Sequence, residues 1–339
     1  MKLLTLYLLS ILIKPFFIAL ILLQGILIIG HYFNSLEMFL TYKPDLFLII
    51  KYIMARVPEN LILTIPTAGV IAVLSTSTRL VSKRELTCLF SSGIKSISVV
   101  IPVFSFFLFF SITSFFVMEF LVPRAKLSYY LLKKRIKKEQ FYEKKAINLK
   151  IGDFFIAISE IDGNIIKDIR IQSEGLLILG KIGEYKNGMW YLKGGIEREI
   201  KDGEVKIEKE ISNIPFFLSP NELLLLSLPL DNTTRLSKIL SCILLTNKLR
   251  MENNEYVREF HKRIAICFSS IVLSILGLGI IMSNLKFASY GSIGIGLLIS
   301  FLYWQGFFFF SSLNASSLLS PWAMNIIYMS IGIRLLSVR

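Results

Sequence analysis

The chain has 339 residues; 54% are hydrophobic, and 38 Lys or Arg stand against 24 Asp or Glu, a net charge of +14. That apolar share, gathered in runs of about 20 residues, excludes an ordinary soluble domain and reads as a membrane protein with room for one polar insert. Much of the positive charge flanks the apolar runs, where membrane topology accounts for it without nucleic acid, while three scattered cysteines (Cys88, Cys242, Cys267) and two histidines (His31, His261) argue against a disulfide framework or a metal cluster.

In chain order, apolar runs predict spans at about 13–34, 57–78 and 97–121, then at about 264–285, 288–311 and 319–337. The first resembles a signal peptide. Lys14 and Pro15 interrupt it, however, no small-x-small site follows, and the run continues to Tyr32, so an uncleaved span is expected. Between the first two spans, 35–56 reads as a short loop. Between the second and third lies RLVSKRELTCLFSSGIKS. Ser82 and Glu85 form the S-x-x-E capping pattern and Gly93 supplies a left-handed stop, so a helix is expected over about 83–92. Leu86, Leu89 and Phe90 share one face of it. So short a helix needs that face covered. Two readings stand side by side: a turn resting in the membrane interface, or a docking helix for a cytoplasmic subunit.

Residues 124–145 read as a basic helix carrying Arg124, Lys126, Lys133, Lys134, Lys144 and Lys145. It is either a solvated face or a contact for anionic lipid phosphates. Glu119, near the end of the third span, reads either as a functional acid within the membrane or as one that reaches the interface to pair with Arg124. From about 147 to 218 the texture becomes alternating apolar and polar, with turns at Asp162-Gly163-Asn164, Asn187-Gly188 and Asp202-Gly203. This predicts antiparallel strands in a sandwich or open barrel. A mostly helical return over 220–260 follows. Within the β stretch, Gly175 to Ile182 nearly spells a phosphate-binding loop. Ile182 lacks the hydroxyl that holds magnesium and the four intervening residues are apolar, so a strand is expected instead. Ser292, Gly296 and Ser300 recur every fourth residue in the fifth span, a small-residue ridge for close helix approach, and Gly277 and Gly279 thin the fourth.

Orientation follows from Lys and Arg in the short loops. Lys2, Lys14, Arg79, Lys83, Arg84, Lys95, Lys286, Arg334 and Arg339 fall on one side, with Glu85 the one acid among them. Both termini and the 82–93 helix are therefore expected in the cytoplasm, with the β-rich insert outside.

The stretch VPENLILTIPTAGVIAVLSTSTRLVSKRELTCLFSSGIKSISVVIPV resembles the LptF/LptG (YjgP/YjgQ) lipopolysaccharide export permease family, through Pro58, Pro66, Leu80, Ser82, Glu85, Leu86, Ser92, Gly93 and Ile94. EFLVPRAK, YVREFHKRIAI and SPWAMNIIYMSIGIRLL resemble the family's third-span exit, fourth-span entry and last span. The resemblance implies six transmembrane helices (3+3) with an inserted periplasmic antiparallel β domain that is jellyroll-like. Residues 1–123 would hold the first three helices, 124–260 the periplasmic segment and 261–339 the last three. It implies pairing with the homologous permease subunit of an LptF/LptG heterodimer in a bacterial inner membrane. An LptB ATPase dimer beneath would hold ATP and magnesium, so this subunit needs no cofactor of its own and is not an enzyme. LptC and a bridge of jellyrolls would receive the lipid. In that frame Ser82, Glu85, Leu86, Leu89, Phe90 and Gly93 make the coupling helix, with its three apolar residues filling a groove of LptB. His31, Arg124, Lys126, Lys133 and Lys134 are candidate lipid contacts. Ser292, Gly296 and Ser300 line a lateral gate facing the partner's first span. The chain departs from the family at His31, Glu37 and Met38, where LptG carries lysines, and at Cys267, where proline is frequent. A non-transporting scaffold with an outward β domain is the alternative reading.

Overall fold

The computed structural model describes residues 2–138, 147–151, 154–186, 189–201, 204–214, 218–227, 234–248, 253–283, 292–313 and 316–337. Lys144, Lys145, Lys286, Arg339 and the turns at Asn187-Gly188 and Asp202-Gly203 lie outside these. The chain divides into two compact units, 1–139 with 257–339, and 140–256.

The first unit is helical. α1 (Lys2–Asn34) is followed by two short helices, α2 (Leu36–Tyr42) and α3 (Leu46–Met54), inside the segment expected to be loop. α4 (Val57–Ser82) and α5 (Glu85–Ser91) come next. α6 (Ile97–Phe116) passes through a π turn (Val117–Leu121) into α7 (Val122–Lys137), so the third span does not stop near 121 but runs on as one helix. Pro123 explains the π turn. Its ring would strike the carbonyl four residues back, that of Glu119, and the wider turn relieves the clash. Glu119 is buried in that turn, whereas Arg124 points out to the surface.

α10 (Asn254–Ser283), α11 (Ser292–Ser312) and α12 (Ala323–Ser337) complete the unit. Among the described residues five helices are long and apolar enough to cross a membrane, not the six expected. The last element falls short because Pro321 opens it with a 3-10 turn, Ser320–Trp322, leaving 15 residues of α-helix. At about 1.5 Å per residue that is about 22 Å, against a hydrocarbon core of about 30 Å.

Small residues set the helix spacing. A Cβ on Gly279 would lie 2.7 Å from the Gly332 carbonyl oxygen, so α10 and α12 touch backbone to backbone. Tyr303 donates to Asn325 Oδ1 at 2.5 Å, and Asn325 Nδ2 donates to the Ala265 carbonyl at 2.9 Å, tying α11, α12 and α10 through one buried amide. Gly279→Val, which pushes on backbone that cannot yield, should cost about 1–3 kcal/mol. A fall in the melting temperature of the detergent-solubilised protein reads this out, and an unaltered melt would contradict the close approach.

Among its described residues the second unit has six antiparallel strands: β1 (Ile147–Ile151), β2 (Phe154–Asp162), β3 (Ile165–Ser173), β4 (Leu176–Lys186), β5 (Met189–Lys201) and β6 (Glu204–Ile214). They pair strictly in sequence order, a meander. The crossover pairing that distinguishes a jelly roll is not seen among the described residues. The near-miss phosphate loop is strand, as its apolar residues require: Leu176 to Ile182 lie in β4.

One line of unpaired residues crosses the sheet. Ile158 pairs Ile169, which pairs Gly180, which pairs Gly195. Ile161 pairs Ile166, which pairs Gly183, which pairs Leu192. Between the two rows the ladder skips Ser159, Asp168, Lys181 and Gly194, with Asp168 at φ +50° and Gly194 at φ +68°. Residues three apart on a regular strand face opposite sides. Here the skipped line turns both rows inward, creasing the sheet so that one continuous apolar face forms.

That face is covered from within the same unit. α8 (Pro220–Leu226) lays Leu223 and Leu226 against it, together with Leu218. Trp190 is fully buried and donates from Nε1 to the Leu218 carbonyl at 2.7 Å. α9 (Leu236–Lys248) follows, its Cys242 thiol pushed up to about 11 by burial.

Candidate functional site

Two places in the helical unit bring predicted site residues together, one at each end of the long helices.

At the end where α1 finishes and α4 begins, a pocket of about 550 Å3 opens between α1, α2, α3 and α7. His31, Arg56, Lys133 and Lys137 line it, with Glu37 the one acid among the described residues of its lining. Its wall is a stack. The Arg56 guanidinium lies 4.1 Å over the Tyr129 ring, which stacks on Tyr52 at 4.5 Å, and the Tyr52 hydroxyl donates to Tyr129 at 2.6 Å. Arg56 Nη1 also pairs with Glu59 Oε2 at 2.8 Å. Burial works against the Arg56 charge, but Tyr129 and Glu59 outweigh it and its pKa rises. Burial, with the Tyr129 hydroxyl beside it, raises Tyr52 to about 12, so this phenol stays protonated where ordinary tyrosines ionise. A fixed guanidinium, with its Nε buried and making no hydrogen bond, beside lysine ammoniums suits a phosphate-sized anion.

The predicted lipid contacts divide. His31 and Lys133 line this pocket, with His31 Nε2 3.4 Å from Asn60 Oδ1. Lys126 pairs with Glu59 at 3.3 Å. Lys134 lies over the Tyr130 ring at 4.8 Å, away from the pocket lining. Arg124 is exposed. Sequence reasoning missed Arg56, Tyr52 and Tyr129. The signal for the first two was present, an aromatic and a cation four residues apart, but it lay in a segment read as loop.

At the opposite end, α4 continues to Ser82 and turns through Lys83 and Arg84, the latter at φ +57°. The expected capping box does not form. Leu80 is buried with Leu8 and Val99, and that packing extends α4 far enough that Ser82 is its last helical residue rather than a cap. Glu85 is the first residue of α5, and its Oε2 accepts from the Tyr7 hydroxyl at 2.6 Å. The stop does form as read. Gly93 sits at φ +81°, its N–H bonds Phe90 O at 3.1 Å and the Ile94 N–H bonds Leu89 O at 3.2 Å, a Schellman closure.

The apolar face of α5 needs a second correction. Leu86 is 2% exposed and packs with Leu8, Leu80 and Val99 of its own chain, with Phe90 beside it. It therefore cannot fill another protein's groove. Leu89, Cys88, Ser92 and Glu85, with Leu4 and Tyr7, line an open hollow of about 470 Å3. The helix has one side anchored and one side free.

The small-residue ridge is also occupied from within. A Cβ on Gly296 would sit 2.8 Å from Ile71 Cγ1, Ser292 Oγ lies 3.4 Å from Ser75 Oγ, and Ser300 Oγ donates to the Gly296 carbonyl at 2.8 Å. The ridge faces α4.

No curated protein matches the chain. A family model described as "Lipopolysaccharide export system permease LptF/LptG" matches residues 6–337, nearly its whole length.

Proposed function

Because the chain belongs to the lipopolysaccharide export permease family LptF/LptG, we propose that it is one half of a paired lipid extractor whose cargo phosphates enter the Arg56–Lys133 pocket. The homologous subunit forms the other half, and an LptB ATPase dimer binds ATP and magnesium and docks on α5. Both termini and α5 lie in the cytoplasm, and the pocket and the β unit in the periplasm. α12 with its 3-10 turn serves as the sixth span. The β unit passes the lipid, lipopolysaccharide or a related phosphorylated glycolipid, to LptC and the bridge of jellyroll domains. Since α4 fills the Ser292–Gly296–Ser300 ridge, the surface of α11 left for the partner's first span is its exposed face, Ile293, Leu297 and Phe301.

The pocket carries this reading. Arg56, Lys133 and Lys137 converge on it from different helices and connections, and Glu59, an acid near Arg56, is already engaged by Arg56 and Lys126. A phosphate there meets a guanidinium held by an aromatic stack, so little ordering remains at binding. In the reconstituted complex, a photocrosslinker at Thr41 in the pocket wall should capture phosphorylated glycolipid. Arg56→Ala with Lys133→Ala should lower the yield several-fold. An undiminished yield removes the pocket from the transport path.

A further inference from the structure

The segment joining the first two long helices has a face that neither the pocket nor the bundle uses. Phe39 and Tyr52 are buried against Ile136 of α7, which fixes α2 and α3 to the bundle. Turned away from that contact, Leu40, Leu46, Phe47, Ile50 and Met54 are 67%, 69%, 63%, 47% and 55% exposed. On α3 these fall at positions 46, 47, 50 and 54, within an arc of about 100° along one side of the helix. Helices of seven and nine residues do not hold such a stripe against water for its own sake.

Three observations say what covers it. The segment is tied at Asn34 and at Val57 to two helices long and apolar enough to cross a membrane, so it lies at a bilayer boundary. Cations edge the stripe: Lys43 forms the left-handed end of α2, and the Lys51 ammonium lies 4.3 Å over the Phe47 ring. The acid between the helices, Asp45, is exposed but engaged locally, since it accepts from the Phe47 N–H at 3.3 Å as the cap of α3. An apolar stripe bordered by lysines is the signature of a helix lying in the plane of the interface.

We propose that α2 and α3 are an interfacial anchor, seated among the headgroups and upper acyl chains of the bilayer leaflet at that end, with Lys43 and Lys51 on anionic phospholipid. The anchor has a functional consequence. Glu37, Met38, Thr41 and Tyr42, on the opposite flank of α2, are a wall of the cationic pocket. Floating α2 at headgroup depth sets the mouth of the pocket level with lipid phosphates, so a cargo headgroup slides in sideways without first leaving the leaflet. The anchor itself does not depend on which lipid is carried.

The test uses the whole permease complex in nanodiscs of phosphatidylethanolamine and phosphatidylglycerol. A nitroxide is placed at Ile50→Cys, or separately at Met54→Cys, in a Cys88→Ser background, which removes the exposed native thiol. Collisions with oxygen, which partitions into lipid, should exceed those with a water-soluble nickel chelate several-fold at both sites. Free access to the nickel chelate would overturn the proposal by placing the stripe in water. Protection from both reagents would also overturn it, because the stripe would then be covered by protein, the second subunit included. Loss of lipid capture in the pocket with the label still in lipid would leave the anchor standing and count against the transport reading instead.

Discussion

Leu89→Arg should strip the ATPase subunit from the purified complex while leaving the permease folded. Leu89 lines the open hollow on α5 and Leu86 does not. A guanidinium placed there removes apolar contact and brings an unmatched charge into the joint; central interface residues of this kind are worth about 2 kcal/mol or more, about thirtyfold in affinity. Leu86→Ala is the contrasting variant. It empties a buried position between Leu8, Leu80 and Val99 and should cost about 2–5 kcal/mol of stability, lowering the melting temperature before any partner is added. Copurification and thermal unfolding of both variants, measured in parallel, separate the two roles. Full recovery of the ATPase with Leu89→Arg would mean that α5 is not the docking element.

Trp190→Ala should loosen the β unit more than any surface change can. The indole is fully buried among Ile156, Ile158 and Leu223, and its N–H is bonded to the Leu218 carbonyl. Removing it leaves a large void and unmakes that bond, at about 3–5 kcal/mol. Trp190→Phe keeps most of the ring and loses the bond, about 1 kcal/mol. Hydrogen exchange of β2 to β5 in the intact chain should accelerate sharply for the alanine variant and mildly for phenylalanine. Equal protection in the two would show that Leu218 is held by something else.

Much of the architecture was legible because it rests on patterns close in sequence. Runs of apolar residues announced the long helices, and alternation with turns at Asp162-Gly163 and its kind announced the strands. The Gly93 stop was legible for the same reason. Ser82 was misread because a capping pattern is only permissive. Whether it is used depends on how far the preceding helix is packed, and Leu80 carries α4 past it. The same S-x-x-E pattern does close at Ser219 and Glu222, with both reciprocal bonds made. The direction of Leu86 was hidden because a helical face does not say which neighbour covers it. The Arg56–Tyr129 stack was hidden because its partners are 73 residues apart in number, 129 less 56, and meet only when α7 continues beyond the third span.

The fold line through Ser159, Asp168, Lys181 and Gly194 makes four strands answerable to one another. Gaining or losing a residue on one side of that line flips every later side chain of its strand to the wrong surface. Strand neighbours cannot absorb the slip unless they shift by the same amount. Length changes in this unit are therefore tolerated only in all four strands at once or in the connections between them, and its lineage should vary at the loops while the strand lengths across the line stay locked together.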